Sequence, residues 1–133
     1  MTIKPQQALA FNPPDLLIDR FCSTYNVTRK EALARFQETK KFLVICAADR
    51  YNAYSPSRAV DLMWHQFMLH SKDYFTFCEM IGGYIHHQPS ETHEPKKYMK
   101  TLEALKEMFG EIDRHFWEEN SSDCTSCESC YFG

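Results

Sequence analysis

The sequence has little of what membrane-spanning, repetitive and low-complexity proteins depend on. Of its 133 residues only four are glycine and six are proline, which excludes a collagen-like or low-complexity chain. The longest uninterrupted apolar run, residues 42–48, is far shorter than the roughly 20 residues that cross a bilayer. The first residues also lack the apolar stretch of a secretory signal, so we expect a cytoplasmic protein with no membrane partner.

An excess of basic charge is absent as well. Lys and Arg number 15 against 18 Asp and Glu, which gives a net charge of -3 at pH 7. From Glu111 onward, six acidic side chains accompany the single basic residue Arg114. Because nucleic-acid-binding proteins present a basic patch to the phosphates, this balance argues against a nucleic acid and favours another protein as partner.

Apolar and aromatic residues are plentiful and recur at helical spacing. They make up 44% and 14% of the chain, enough for the core of one soluble domain. Thr28 and Glu31 form a capping box, which predicts a long helix to about residue 49. An i, i+3, i+4, i+7 pattern marks two shorter helices, at Val60, Met63, Trp64 and Phe67 and at Tyr74, Phe77, Cys78 and Ile81.

The predicted fold is all-α, a compact bundle of five or six helices with an irregular, cysteine-containing C-terminal tail. Residues 1–13 are interpreted as a flexible N-terminal arm that ends before the second of two prolines. Residues 14–119 form a single helical domain, and residues 120–133 an acidic, cysteine-rich tail without periodicity.

Six cysteines are present, and their surroundings divide them into different kinds. Cys22 and Cys46 lie within apolar helical segments and are interpreted as core residues. Cys124, Cys127 and Cys130 follow one another at two-residue spacing, which lets neighbouring thiolates reach one tetrahedral ion. Three thiolates do not complete a four-ligand shell, so metal binding with a further ligand, thiol redox chemistry and inert thiols all remain open.

A second group of candidate residues lies between positions 61 and 87 of the sequence and includes His65. Asp61 lies one helical turn earlier, where its carboxylate can accept the second N–H of the imidazole and fix its tautomer. A surface His–Asp pair beside an aromatic stripe is the alternative interpretation. Cys78 lies on an apolar stripe, which on its own marks a buried structural thiol. His86 and His87 are adjacent and point different ways, so at most one of them binds a given ion easily.

Three motifs in this part of the chain resemble the glycine-rich domain-containing protein-like family, above all its small bacterial members. The family pattern is a Val-Asp-x-x-Trp-His helix, a Tyr-x-x-Phe-Cys helix and then Gly-x-x-x-His, here residues 60–65, 74–78 and 83–87. The chain lacks the glycine-rich region of the larger plant relatives. Phe67 stands where the plant pattern often has a second histidine.

The resemblance implies a shared ligand set of His65, Cys78 and His87, with Cys124 as the fourth member. Two imidazoles and two thiolates are a common zinc shell, and such an ion would join two helices, a loop and the tail. Iron and copper accept the same ligand types, so the sequence does not decide between the three metals.

The expected function is therefore a small helical metal-binding protein, with zinc as the expected metal, that acts as an interaction or regulatory module. One alternative is a thiol redox or metal-handling protein that uses Cys124, Cys127 and Cys130. The other is a metal-dependent hydrolase or modifying enzyme, which needs an open coordination position beside His65. The sequence has no phosphate-binding loop, His-Glu-x-x-His motif or nucleophile motif, so an enzyme is the weaker alternative.

Overall fold

The computed structural model describes residues 5–51, 53–87 and 95–117. Within these ranges the chain forms seven helices and no strand, which confirms the predicted all-α bundle. They are α1 (Pro5–Leu9), α2 (Asp15–Tyr25), α3 (Arg29–Ala48), α4 (Arg58–Leu69), α5 (Ser71–Met80), α6 (Pro95–Phe109) and α7 (Arg114–Trp117). None of the helices in the described ranges is both long and apolar enough to cross a membrane. The predicted acidic tail lies outside the described residues.

The longest helix, α3, is the centre of the bundle. Its first turn is capped as predicted, because the Thr28 hydroxyl accepts a hydrogen bond from the Glu31 N–H at 3.1 Å. Helices α1, α2, α4 and α6 all pack against it. Its buried side chains therefore lie on several faces rather than on one stripe, as expected of a helix surrounded by others.

A buried carboxylate on α3 fixes the C-terminal helix α7. Glu38 is only 3% exposed, and its Oε1 accepts hydrogen bonds from Trp117 Nε1 at 3.0 Å and from the Asp113 N–H at 3.1 Å. Its Oε2 lies 2.8 Å from the Nζ of Lys41. A buried charge is costly unless it has such partners, so the Glu38 contacts determine where α7 lies.

A buried ammonium on α3 holds the N-terminal segment in a similar way. The Nζ of Lys40 donates to the carbonyls of Leu9 and Phe11, both at 2.6 Å. Helix α1 consequently packs on α3 with Ala8 buried, whereas the sequence predicts a flexible arm over residues 1–13. The difference arises because this contact uses backbone carbonyls, which leave no pattern in the sequence.

Aromatic rings fill the space between α3, α4 and α5. The ring of Phe67 lies 4.9 Å from Phe36, 5.1 Å from Tyr74 and 5.7 Å from Phe77, measured between centroids. The two helical stripes predicted from the sequence therefore face each other across the core. This packing brings the end of α5, and the segment that follows it, next to α4.

Candidate functional site

The three motifs singled out in the sequence meet where residues 81–87 pass over α4 and α5. Trp64 on α4 donates its Nε1 hydrogen to the hydroxyl of Tyr74 on α5 at 2.9 Å. That hydroxyl donates in turn to the carbonyl of Ile85 at 2.5 Å. All three residues are buried. This chain of hydrogen bonds fixes residues 81–87, named here the α5–α6 loop, against both helices.

His87, two residues further along that loop, is held by Asp61 on α4. The His87 Nε2 lies 2.6 Å from the Asp61 Oδ1, and the two side chains are only 11% and 10% exposed. The ring of Trp64 approaches the imidazole edge to face, with 4.4 Å between centroids. A carboxylate can only accept, so the Nε2 of His87 carries the proton and Nδ1 is left as an acceptor when the ring is neutral.

The partner of Asp61 differs from the one predicted. The sequence places its carboxylate against His65, but the structure pairs it with His87. His65 is exposed, and its ring centroid lies 6.2 Å from that of His87, so the two imidazoles are neighbours. Asp61 is only 7% exposed and therefore needs a partner inside the core, which the exposed His65 cannot provide as well.

Cys78 lies beneath the α5–α6 loop and is 1% exposed. Burial raises the pKa of its thiol, although the Ile85 N–H, the Tyr74 hydroxyl and the charge of Arg50 act in the opposite direction. Cys78 thus lies in the core beneath the loop and is shielded from solvent.

The predicted ligand set is not assembled within the part of the chain that the structure describes. Among those residues, no group of three or more His, Cys, Asp or Glu side chains is arranged to hold a metal ion. His65 and His87 come together, and Cys78 does not complete a centre with them. Cys124, together with Cys127 and Cys130, lies outside the described residues. Cys22 and Cys46 pack against the core as predicted, each of them half-buried.

Sequence reasoning missed Arg50, which secures the start of the α5–α6 loop. Its Nη1 donates to the carbonyl of Tyr84 at 3.4 Å. Its guanidinium lies so close to Gly83 that a Cβ at that position would come within 2.6 Å of Nη2. Gly83 also has a φ of +152°, which side chains rarely tolerate. The glycine was visible in the sequence, but nothing in the sequence links it to Arg50.

Comparison with known proteins corrects the resemblance proposed from the sequence. No curated protein and no solved structure matches the chain. A family model described as UCP032817-like matches residues 6–116. The assignment to the glycine-rich domain-containing protein-like family is therefore wrong: it rested on short motifs within residues 56–89, which are less specific than a match along the whole bundle. The chain belongs to the UCP032817-like family.

Proposed function

We propose that this protein is a small helical metal-binding module, and that His65 and His87 form the centre of its site. The observation that carries the proposal is the nearly buried hydrogen bond between Asp61 and His87, with a second imidazole alongside. Metal-binding histidines usually donate their other N–H to a carboxylate, which fixes the tautomer and raises the basicity of the ligating nitrogen. Asp61 supplies this contact to His87, and the exposed His65 leaves the site open to solvent.

Zinc is the metal that suits this site best on chemical grounds. Imidazole and thiolate both bind zinc, and a zinc shell takes four ligands, so two histidines need further donors. We propose Cys124 as the third ligand. Cys78 is buried beneath the α5–α6 loop and would become a ligand only if that segment moved, so its contribution is tested separately.

The regulatory role follows from what such an ion would connect. An ion bound by His65, His87 and Cys124 would join α4 and the α5–α6 loop to the acidic C-terminal part of the chain. The availability of zinc would then decide how that acidic part is presented to a partner protein. The module would act as an interaction element without carrying out a reaction itself.

Metal analysis of the full-length chain tests the proposal. Protein purified without a histidine tag from zinc-supplemented cells is expected to hold about one zinc ion per chain. His65→Ala and His87→Ala should each lose the ion, whereas His70→Ala, between α4 and α5, should keep it. His65 is exposed, so its replacement leaves the fold intact, which circular dichroism checks.

Two results would contradict the proposal. One is a wild-type zinc content below about 0.2 per chain after zinc has been supplied. The other is zinc that survives His65→Ala and His87→Ala but is lost in Cys124→Ser, which would move the site to the tail and favour the metal-handling alternative. Cys78→Ser shows whether the buried thiol takes part, because it removes the ion only if this cysteine is a ligand.

A further inference from the structure

Helix α5 lies at the edge of the bundle, and one of its faces is left exposed by the described residues. The helix packs chiefly on α4, and its buried side chains are those of Tyr74, Phe77 and Cys78. The opposite side carries four exposed residues at i, i+3, i+4 and i+7, which therefore lie next to one another on the surface. These residues, named here the α5 outer face, are Lys72, Phe75, Thr76 and Glu79.

The centre of the α5 outer face is apolar. Phe75 is 53% exposed, and Met80, one turn after Thr76, is 43% exposed. The Thr76 hydroxyl donates to the carbonyl of Lys72 at 3.0 Å, so it is satisfied within the helix and its methyl group is left for apolar contact. Aromatic residues and methionine are enriched in the contact surfaces of proteins, which makes this face a candidate interface.

The two ends of the α5 outer face carry opposite charges that have no partner of their own. Lys72 and Glu79 are seven positions apart, about 10.5 Å along the axis, which is too far for them to pair with each other. Neither forms an ion pair with any other residue in the part of the chain that the structure describes. Each also lies at the unfavourable end of the helix dipole, Lys72 in the first turn and Glu79 in the last. The stability of the helix therefore does not explain either charge.

The order of these residues is complementary to itself. The midpoint of α5 (Ser71–Met80) falls between Phe75 and Thr76, and so does the midpoint between Lys72 and Glu79. Two such helices that lie antiparallel about this point overlap along their whole length, with each lysine opposite the glutamate of the other helix. Each charge then lies at the favourable end of the other helix's dipole. A patch that is complementary to itself is what a twofold symmetric dimer requires.

We propose that the α5 outer face is the interface of a homodimer in which two α5 helices pack antiparallel. Lys72 of one protomer pairs with Glu79 of its partner, and Phe75 packs against Thr76. A helix of ten residues is only about 15 Å long, so this interface is smaller than the roughly 1,200 Å² of a stable complex. We therefore expect a reversible dimer with a Kd on the order of 100 µM. The α5 outer face shares no residue with the proposed metal site, so either proposal can fail without the other.

Sedimentation equilibrium of the full-length protein tests the proposal. The buffer has low ionic strength, a chelator and a reductant, so that neither a metal ion nor a disulfide joins two chains. Between about 10 µM and about 1 mM protein, the mean mass is expected to rise from one chain toward two. A mass that stays at one chain over this whole range would overturn the proposal.

Charge reversals identify the surface that is used. Lys72→Glu and Glu79→Lys each place like charges opposite one another, and a twofold interface contains that contact twice. Each variant should therefore weaken dimerisation at least about tenfold. Lys106→Glu, at an exposed position of α6, changes the net charge by the same amount as Lys72→Glu and should leave the Kd unchanged. Phe75→Ala removes the apolar centre without a change of charge and should also weaken dimerisation about tenfold.

An equimolar mixture of Lys72→Glu and Glu79→Lys gives the sharpest result, because unlike chains then carry complementary charges again. The mixture should dimerise about as tightly as wild type, and so should the double variant with both reversals. Circular dichroism checks that each exposed substitution leaves the helices intact. Single reversals that dimerise like wild type, a mixture that stays monomeric, or a loss in Lys106→Glu equal to that in Lys72→Glu would each contradict the proposed interface.

Discussion

A carboxylate as buried as that of Asp61 needs a partner, and in this fold the partner is His87 at 2.6 Å. The pair does two things at once. It attaches the α5–α6 loop to α4, and it leaves one nitrogen of the imidazole as an acceptor next to His65. The proposed metal site therefore depends on a contact that also stabilises the fold, and the two roles have to be measured separately.

Asp61→Asn separates these roles, because the amide keeps the shape of the side chain but loses its charge. We expect zinc affinity to fall about 10- to 100-fold, the usual effect of removing a carboxylate behind a histidine ligand. The free energy of unfolding should fall by only about 1–2 kcal/mol. Competition with a zinc chelator measures the first quantity and urea denaturation the second. Asp73→Asn, on the exposed surface of α5, is the control and should change neither.

The hydrogen bonds of the Tyr74 hydroxyl lead to a second prediction for a single residue. It accepts from Trp64 and donates to Ile85, so Tyr74→Phe leaves a buried donor and a buried acceptor without a partner. We expect the free energy of unfolding to fall by about 2–3 kcal/mol in urea denaturation. Tyr84→Phe changes an exposed ring in the same loop and should cost less than about 0.5 kcal/mol. Equal losses in the two variants would show that the hydroxyl chain does not hold the loop.

At the scale of helices, the first and the last helix of the described residues, α1 and α7, are held by charges buried on α3. Glu38 accepts from Trp117 and Asp113 and so fixes α7. Glu38→Ala should lower the free energy of unfolding by about 3 kcal/mol, because it leaves two donors unsatisfied. Glu38→Gln keeps an accepting oxygen and should cost about half as much. If both variants cost the same in urea denaturation, the hydrogen bonds do not determine the position of α7.

Lys40, which holds α1, should give that contact a pH dependence. Burial lowers the pKa of Lys40 from 10.5 to about 8, so between those values the unfolded chain holds more protons than the folded one. The cost of burying the Lys40 charge is fully present below about pH 8. Above that pH the folded chain loses the proton first, so the free energy of unfolding rises. Urea denaturation at pH 7 and pH 10 measures the effect. The stability of wild type relative to Lys40→Met is expected to rise by on the order of 1–2 kcal/mol, and a fall would contradict the account.

The helices show which structural features the sequence could reveal. The capping box predicted the start of α3, and the apolar stripes predicted α4 and α5, because these signals lie within one helix. The anchoring of α1 by Lys40 and the closeness of Arg50 to Gly83 were not predictable. These contacts join segments that are far apart in the chain, and they involve backbone groups. No spacing of residue types in the sequence therefore indicates them.

The candidate site shows the same limit. Its residues were recognised as a group, since the motifs carry them at fixed spacing. Their pairing was not recognised: helical geometry offered His65 as the partner of Asp61, and burial selected His87. The sequence allowed two interpretations of Cys78, a metal ligand and a buried core residue. Only the fold shows that it is buried beneath the loop.

At the scale of the whole molecule, a bound zinc ion should stabilise the bundle. An ion that binds the folded chain alone raises its apparent stability, and the gain grows with the logarithm of the free ion concentration relative to Kd. Removal of zinc with a chelator is therefore expected to lower the Tm by several degrees, roughly the effect of 1–2 kcal/mol in a domain of this size. Scanning calorimetry of the holo and metal-free forms measures it.

Cysteine variants show whether the tail contributes to that stabilisation. Cys124→Ser should show the low Tm of the metal-free protein even when zinc is present, whereas Cys130→Ser, the matched control, should respond to zinc as wild type does. If Cys124→Ser gains as much stability from zinc as wild type, Cys124 is not a ligand. The third position would then belong to another group, and the proposed link between zinc and the acidic part of the chain would be lost.

The most direct test of the central claim is anomalous scattering from crystals of the full-length protein grown with zinc. One strong peak is expected at the zinc edge, about 2 Å from a ring nitrogen of both His65 and His87, with Asp61 still bonded to the other nitrogen of His87. A zinc ion held by tail cysteines alone, or imidazoles that remain without metal at full zinc occupancy, would contradict it.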